Sequence, residues 1–391
     1  MNLKEEIRQL QDEIIQFRRH IHANPELSFQ EFKTTEFIKS VLNKYGIENH
    51  SITETGVIGI IGKGDNCVAL RADIDALPIN EETGLDFCSM NDGIMHACGH
   101  DMHTAMLLGA AIILKKHEAE LSGTVKLIFQ PAEEKIPGGA KIMIDNGVLE
   151  NPAPSAVFGQ HIYPEAESGT ISLADGFIMA SADELYWTIK TKSGHAAQPH
   201  LCNDVILASS QLVVFLQSLM TKMRDPLNPG VLSVTSMHGG SATNVYPDEM
   251  KMMGTFRSYN NEWRMDMHKL IETKSKEVCG LYNTECEVEI KKGYVPVIND
   301  KTTTEFAKQT AINLFGEEKV LEFIPKMWGE DFGYYSQKVP STFWFLGVKP
   351  KDKDIPGLHN SKMVPDEPAM LSGTEMMVRV AIDYLNSLVN K

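Results

Sequence analysis

Residues 95–103 read Met-His-Ala-Cys-Gly-His-Asp-Met-His, which packs three histidines, one cysteine and one aspartate into nine positions. Thiolate, imidazole and carboxylate are the donors that zinc-like transition metals prefer. Gly99 separates Cys98 from His100, and without a side chain it lets the backbone turn so that both donors converge on one small volume. A closed structural zinc site calls for a second Cys/His pair at similar spacing, and the chain carries none. Downstream, an apolar run ends in Gln130-Pro131-Ala132-Glu133-Glu134. Neighbouring side chains diverge, so Glu134 can bind metal while Glu133 faces a water and takes its proton.

Two metals about 3.5–4 Å apart can lower the pKa of a shared water and polarise a carbonyl at once. Cys98, His100, Glu134, His161 and His359 are the residues that can supply such a pair with ligands. Taken alone, His161 in Phe158-Gly159-Gln160-His161-Ile162 reads more readily as a hydrogen-bonded loop histidine. The same holds for His359 in Pro356-Gly357-Leu358-His359-Asn360. Asp73 and Asp75, in Arg71-Ala72-Asp73-Ile74-Asp75-Ala76-Leu77-Pro78, have two readings. They orient a metal-bound imidazole from behind, or else they pair with Arg71 or cap the following turn. Elsewhere, His195 sits on a Gly/Ala-rich turn, with Asn244 and Arg257 further on. Arginine binds a carboxylate through two parallel hydrogen bonds, which makes a substrate carboxylate an attractive partner for Arg257.

The elements that must position these residues follow from periodicity. Residues 3–22 have helical spacing and stop before Asn24-Pro25, where proline disfavours helix in the residue before it. Strands over 57–61, 67–70, 125–129 and 156–161 alternate with helices over 104–116 and 139–146, the pattern of an α/β sheet with helical cover. Ligands of such sheets collect beyond the carboxyl ends of the strands. From about residue 181 the pattern changes to β-α-β-β-α-β, which is ferredoxin-like. The expected architecture is therefore α/β, a mixed-sheet catalytic domain over 1–180 and 292–391. It is interrupted at 181–291 by an inserted ferredoxin-like α+β domain.

Composition narrows the function. A chain of 391 residues with 42% apolar and 23% charged residues suits two globular domains. A net charge of −15 argues against a nucleic-acid partner, which needs a basic face. The charged, amphipathic opening Met1-Asn2-Leu3-Lys4-Glu5-Glu6 has no secretory-signal pattern, and no segment reads as a membrane span. Six cysteines scattered without a disulfide framework favour a reducing cytoplasm.

Taken in order, the segments match a known family. They are Arg18-Arg19-His20-Ile21-His22 with Asn24-Pro25-Glu26-Leu27, the Arg71–Pro78 and Met95–His103 stretches, Gln130–Glu134, Gly194–His200, Gly329-Glu330-Asp331-Phe332 and Leu358-His359-Asn360. Nearly end to end, the chain resembles the branch of the aminoacylase/carboxypeptidase-G dinuclear metallopeptidases that holds hippurate hydrolases, N-acyl-amino-acid amidohydrolases and plant auxin-conjugate hydrolases. The resemblance implies two divalent ions per subunit (Zn, Mn, Co or Ni) held by Cys98, His100, Glu134, His161 and His359, with Glu133 as general base and acid. It implies that the inserted domain is a lid through which the chain forms a homodimer, or a tetramer built from it. His195 on that lid reaches the partner's site and stabilises the oxyanion, and Asn244 and Arg257 bind substrate. Many members of the wider superfamily carry a metal-binding histidine where this chain has Arg71, which marks a subfamily.

The implied reaction is cleavage of the amide of an N-acyl amino acid, acetyl, benzoyl or related. Deacetylation of N-acetyl-diaminopimelate, hydrolysis of a dipeptide, and a silent sensor of acyl amino acids are the alternatives, and the presence of Glu133 favours an enzyme. A zinc nucleoside deaminase needs a downstream Pro-Cys-x-x-Cys, which is missing.

Overall fold

The computed structural model describes residues 2–389. These divide into two units, one comprising residues up to 178 with 297–324 and 331 onward, the other 179–296 with 325–330. The short piece 325–330 thus groups with the inserted unit, although it lies far beyond it in sequence.

Four parallel strands form the centre of an eight-stranded mixed sheet in the first unit: Thr124–Gln130, Cys67–Asp73, Ala156–Glu167 and Ser341–Lys349. Val57–Gly62 and Glu48–His50 extend it on one side, and Ile171–Leu173 and Val320–Glu322 on the other. Every residue of Cys67–Asp73 and Thr124–Gln130 is buried, as expected for parallel strands covered on both faces. These strands run past the ends expected from hydrophobicity, Leu70 and Phe129. Arg71, Asp73 and Gln130 look like turn residues, but they stay in the ladder because their polar groups satisfy one another. Asp73 is in register with Gln130, so both deliver their side chains at the carboxyl end of the sheet.

The helix expected over 104–116 begins earlier, at His100 (His100–Lys116). Gly99 precedes it with φ +85, and a Cβ there would lie 2.2 Å from Ile162 Cδ1. Only glycine satisfies both the left-handed turn and the close approach. Residues 100–114 of this helix are all buried, so it is covered on every side, its polar first turns included. The single N-terminal helix expected over 3–22 is two, Leu3–Gln9 and Gln11–Ala23. They meet at Leu10, whose N–H is shared between the Glu6 and Ile7 carbonyls.

In the second unit, strands Gly230–His238, Glu249–Ser258, Asp183–Lys190 and Glu285–Lys292 lie side by side in that order, all antiparallel. With helices Val205–Ser218 and Asn261–Gly280 this is the ferredoxin-like arrangement. Asp183–Lys190 alternates, sending Leu185, Trp187 and Ile189 into the core, where Trp187 Nε1 donates to Ser275 Oγ at 3.0 Å. One expectation needs correcting. The stretch 205–223, Val205–Ser218 continued by the π-helical turn Leu219–Met223, is long and apolar enough by length and composition to cross a membrane. Here it lies along the sheet of its unit, burying Val205, Ala208, Leu212 and Leu216 and exposing Ile206, Leu207 and Val214.

Candidate metal centre

His100 sits in the first turn of its helix, fully buried. Its Nδ1 lies 2.9 Å from the Asp75 carbonyl and 3.3 Å from Asp75 Oδ1. Nδ1–H is therefore the donor, and Nε2 is left buried with no hydrogen-bond partner. Burial opposes protonation of this ring, but Asp73, Asp75 and Glu134 outweigh it and hold its pKa up at about 10. An orphaned nitrogen inside a ring of carboxylates is a place for a cation.

The same logic applies to its neighbours. His161 donates Nδ1–H to the Ile162 carbonyl at 2.7 Å and turns Nε2 to within 3.4 Å of Cys98 Sγ. The donor atoms of Cys98, His100 and His161 all lie within 4.8 Å of one another, as do those of Cys98, Glu134 and His359. Burial, with the charges of Glu134, Glu133 and Asp73, pushes the Cys98 thiol well above its usual range. A thiolate there requires a positive partner. His359 is 52% exposed at its side chain, has φ +61, and donates its backbone N–H to the Ala97 carbonyl at 2.8 Å. Its Nε2 lies 3.2 Å from Glu134 Oε1, which is buried and without hydrogen-bond geometry to any group.

His103 is a third histidine in reach, grouped with Asp73 and His100. Its Nδ1 donates to Asp73 Oδ1 at 2.6 Å and its Nε2 accepts the Ile162 N–H at 2.9 Å. With both nitrogens engaged it has no lone pair for a metal; instead it pins the strand next to His161. His96 is buried with neither nitrogen partnered, and burial lowers its pKa to about 4. It belongs to none of the donor clusters.

The glutamates sit on a loop locked to Asp75, whose Oδ1 accepts the Glu133 N–H and Oδ2 the Glu134 N–H, each at 3.0 Å. Glu133 is 5% exposed, and a carboxylate oxygen of it lies within 4.8 Å of donor atoms of His100 and Glu134. The two aspartates divide these readings: Asp73 pairs with Arg71, as the second reading has it, and Asp75 lies against the His100 ring. Asp73 takes Arg71 Nη1 at 2.7 Å as well as His103, while Asp75 orients His100. Arg71 also donates to Asp331 and Gln130, and Gln130 Nε2 donates to Asp331 in turn. Sequence reasoning passed over His103, Gln130 and Asp331. The available signal was His103 three residues after His100, hence on the same helix face.

The donor set fits divalent ions: buried nitrogens aimed inward with their other nitrogens tied off, a thiol and convergent carboxylates. Cys98→Ala is expected to lower metal content per subunit, checked by elemental analysis after dialysis; unchanged occupancy would reduce Cys98 to a buried thiol.

Behind the centre, His22 donates to Asp101 at 2.9 Å and Glu81 at 3.1 Å, and Arg18 Nε donates to Asp101 at 3.0 Å. Burial works against the His22 charge, but the bonds to Asp101 and Glu81 raise its pKa from 6.5 to about 9. The folded protein holds this proton more tightly than the unfolded chain does. Its stabilisation is therefore complete below pH 6.5 and is lost as pH rises through about 9. The urea-midpoint gap between wild type and His22→Gln should shrink between about pH 6 and about pH 10. A constant gap would contradict the pairing.

His195, Asn244 and Arg257 belong to the second unit. His195 is exposed and pairs with Val245 in a two-stranded ribbon, and the Ala196 N–H donates to the Asn244 carbonyl at 3.0 Å, so these segments are neighbours. His195 Nδ1 accepts the Ala197 N–H at 3.1 Å, which fixes the proton on Nε2 and makes that atom an outward donor. Arg257 lies on Glu249–Ser258, half-buried, with Nε donating to Thr255 Oγ1 at 3.1 Å.

Residues 69–383 match the model of peptidase family M20/M25/M40. The chain is 39% identical to an Arabidopsis thaliana IAA-amino acid hydrolase (ILR1-like 4), covering 96% of this chain and 87% of that one. It is 38% identical to an N-acetyl-L-cysteine deacetylase of Bacillus subtilis, covering 99% and 93%. Among solved structures, the Bacillus subtilis YXEP protein, a dinuclear metal binding peptidase, superposes with TM-score 0.82 at 35% identity over 97% of this chain and 99% of that one. The chain belongs to the M20/M25/M40 peptidase family and is a metal-dependent amide hydrolase.

Proposed function

We propose that the chain hydrolyses N-acyl amino acids, as a member of the hippurate-hydrolase and aminoacylase branch of its family. The observation that carries this is the pair of adjacent glutamates. Glu134 falls in a donor set with Cys98 and His359, while Glu133, buried beside it, falls in neither set built on Cys98. A carboxylate so placed is a base at a hydrolytic centre. The two relatives named above both act, by their names, on amides of amino acids.

In this reading Cys98, His100, Glu134, His161 and His359 hold two divalent ions. When bound, those ions supply Lewis acidity, acidifying water and polarising the scissile carbonyl. Glu133 takes the proton of the attacking water and returns it to the leaving amine. Asp75 keeps the Glu133 and Glu134 amides and the His100 ring in one arrangement. Arg257 donates to the substrate carboxylate, Asn244 binds its amide, and the His195 Nε2–H donates to the developing oxyanion. A panel of acetyl, benzoyl and indole-acetyl amino acids against simple dipeptides tests the reading. Turnover of the acyl amino acids is expected, and exclusive turnover of dipeptides would move the protein to the peptidase side of the family.

The surface of the second unit supports a homodimer. Gly230–His238 is an edge strand of its sheet, and Val231 and Met237 on it are exposed, as are Ile206, Leu207 and Val214 on the helix Val205–Ser218. Exposed apolar side chains and an unpaired strand edge favour association with a second copy. In a homodimer formed there, His195 serves the partner's centre. Mixing His195→Ala with Glu133→Ala subunits should then restore activity, because each heterodimer carries one centre with both groups intact. An oxyanion donor is worth about 10²–10³-fold in rate, so the recovery is readily measured. Verified heterodimers without recovery would show that His195 serves its own subunit or is merely structural.

A further inference from the structure

Glu31 is fully buried, and its carboxylate is not used by its own helix. It occupies the position before Phe32–Lys44, where an acidic side chain ordinarily accepts from the first free amides. It makes no such bond. Oε1 instead accepts the Ala132 N–H at 2.7 Å, a contact between residues 101 apart in sequence, and Oε2 accepts Thr55 Oγ1 at 2.8 Å.

Ala132 is the residue that needs holding. It is buried and has φ +52, a left-handed conformation that crowds a Cβ against the carbonyl that follows. Backbone strain of this kind persists only where surrounding contacts impose it. The Ala132 carbonyl accepts the Gly139 N–H at 2.9 Å, and the next two amides go to Asp75. Three successive amides, at 132, 133 and 134, therefore end on two buried carboxylates. Asp75 also touches His100, so its effects are mixed with those on a proposed ligand. Glu31 lies in none of the donor clusters, and its link to the glutamate loop runs through the Ala132 amide. Placing a buried carboxylate below a loop that carries two more is electrostatically unfavourable. The bond it makes is to the backbone hinge from which Glu133 and Glu134 part.

We propose that Glu31 is a positioning residue that holds the left-handed turn at Ala132 and thereby aims Glu133 at the reacting water. This rests on the reading of Glu133 as the base.

The test uses the full chain with Glu31→Ala, Glu31→Asp and Glu31→Gln. Aspartate keeps a buried carboxyl group but withdraws the acceptor by one methylene, which covers the case that alanine fails to fold. Glutamine keeps an oxygen that can accept from Ala132. Misplacing a reacting group by about 1 Å costs about 10²-fold, so Glu31→Ala and Glu31→Asp should lose about that much in kcat with KM and metal content near wild type. Glu31→Gln should stay within about ten-fold of wild type, as a retained hydrogen bond predicts. A readout independent of turnover is amide hydrogen exchange of the peptide spanning 130–134 in metal-free protein. It should quicken in the alanine and aspartate variants and not in the glutamine one. Unchanged exchange in the first two overturns the proposal, as does quickened exchange with undiminished kcat, or glutamine as impaired as alanine. If the wild type turns over no acyl amino acid, the functional reading fails, and the exchange data still decide whether Glu31 holds the turn.

Discussion

Glu133→Ala is expected to keep its bound metal and to lose about 10²–10⁴-fold in kcat, the range supplied by a positioned general acid–base. The split follows from geometry. Glu133 does group with His100 and Glu134, but only Glu134 shares a donor set with Cys98 and His359, so truncating Glu133 leaves both sets built on Cys98 intact. Asp75 receives the backbone amides of both residues, and an alanine at 133 still offers its N–H to Oδ1. The loop should therefore hold its course while the proton acceptor is gone. Metal content by elemental analysis and steady-state rates on one acyl amino acid check both halves. Activity within a few-fold of wild type would remove Glu133 from the chemistry, and lost metal would make it a ligand.

The second large effect concerns the substrate's carboxylate. Comparing an N-acyl amino acid with its carboxamide should show the acid favoured by about 2–5 kcal/mol, roughly 30- to 5,000-fold in kcat/KM, if Arg257 pairs with it in a desolvated site. Arg257 is half-buried, which already removes part of its water. Its Nε is engaged by Thr255, which fixes the plane of the guanidinium. Arg257→Ala should slow the acid and leave the carboxamide nearly unchanged. Equal efficiency of the wild type on both substrates would free Arg257 from this role.

How much of this was legible depended on how local each signal is. Cys98, His100, Glu133 and Glu134 stand out because their donors are neighbours in sequence. His161 and His359 carry no such local mark and were reached through the ordered family pattern. Hydrophobicity located three of the four central strands, not Ser341–Lys349, and it missed their ends, since Arg71, Asp73 and Gln130 are polar residues whose partners come from distant segments, Asp331 among them. The start of the helix at His100 was hidden for a similar reason. Cys-Gly-His resembles a loop, and the requirement for Gly99 appears only once Ile162 is packed against it. Spacing left Asp73 and Asp75 between two roles because each does more than one thing: Asp73 pairs with Arg71 and His103, Asp75 with His100 and two amides. Glu31 was invisible for the plainest reason, a single hydrogen bond across 101 residues. The apolar character of 205–223 is easily underrated because Ser209, Ser210, Gln211, Gln217 and Ser218 interrupt it.

The most direct test of the central claim is to strip the protein with a chelator and add a divalent metal back while following hydrolysis of one N-acyl amino acid. Zinc, manganese, cobalt and nickel should each be tried. The stripped protein should show no turnover, and activity should rise to a plateau near two ions per subunit, as expected of a two-metal hydrolytic site. Turnover that survives complete removal of metal would contradict the claim.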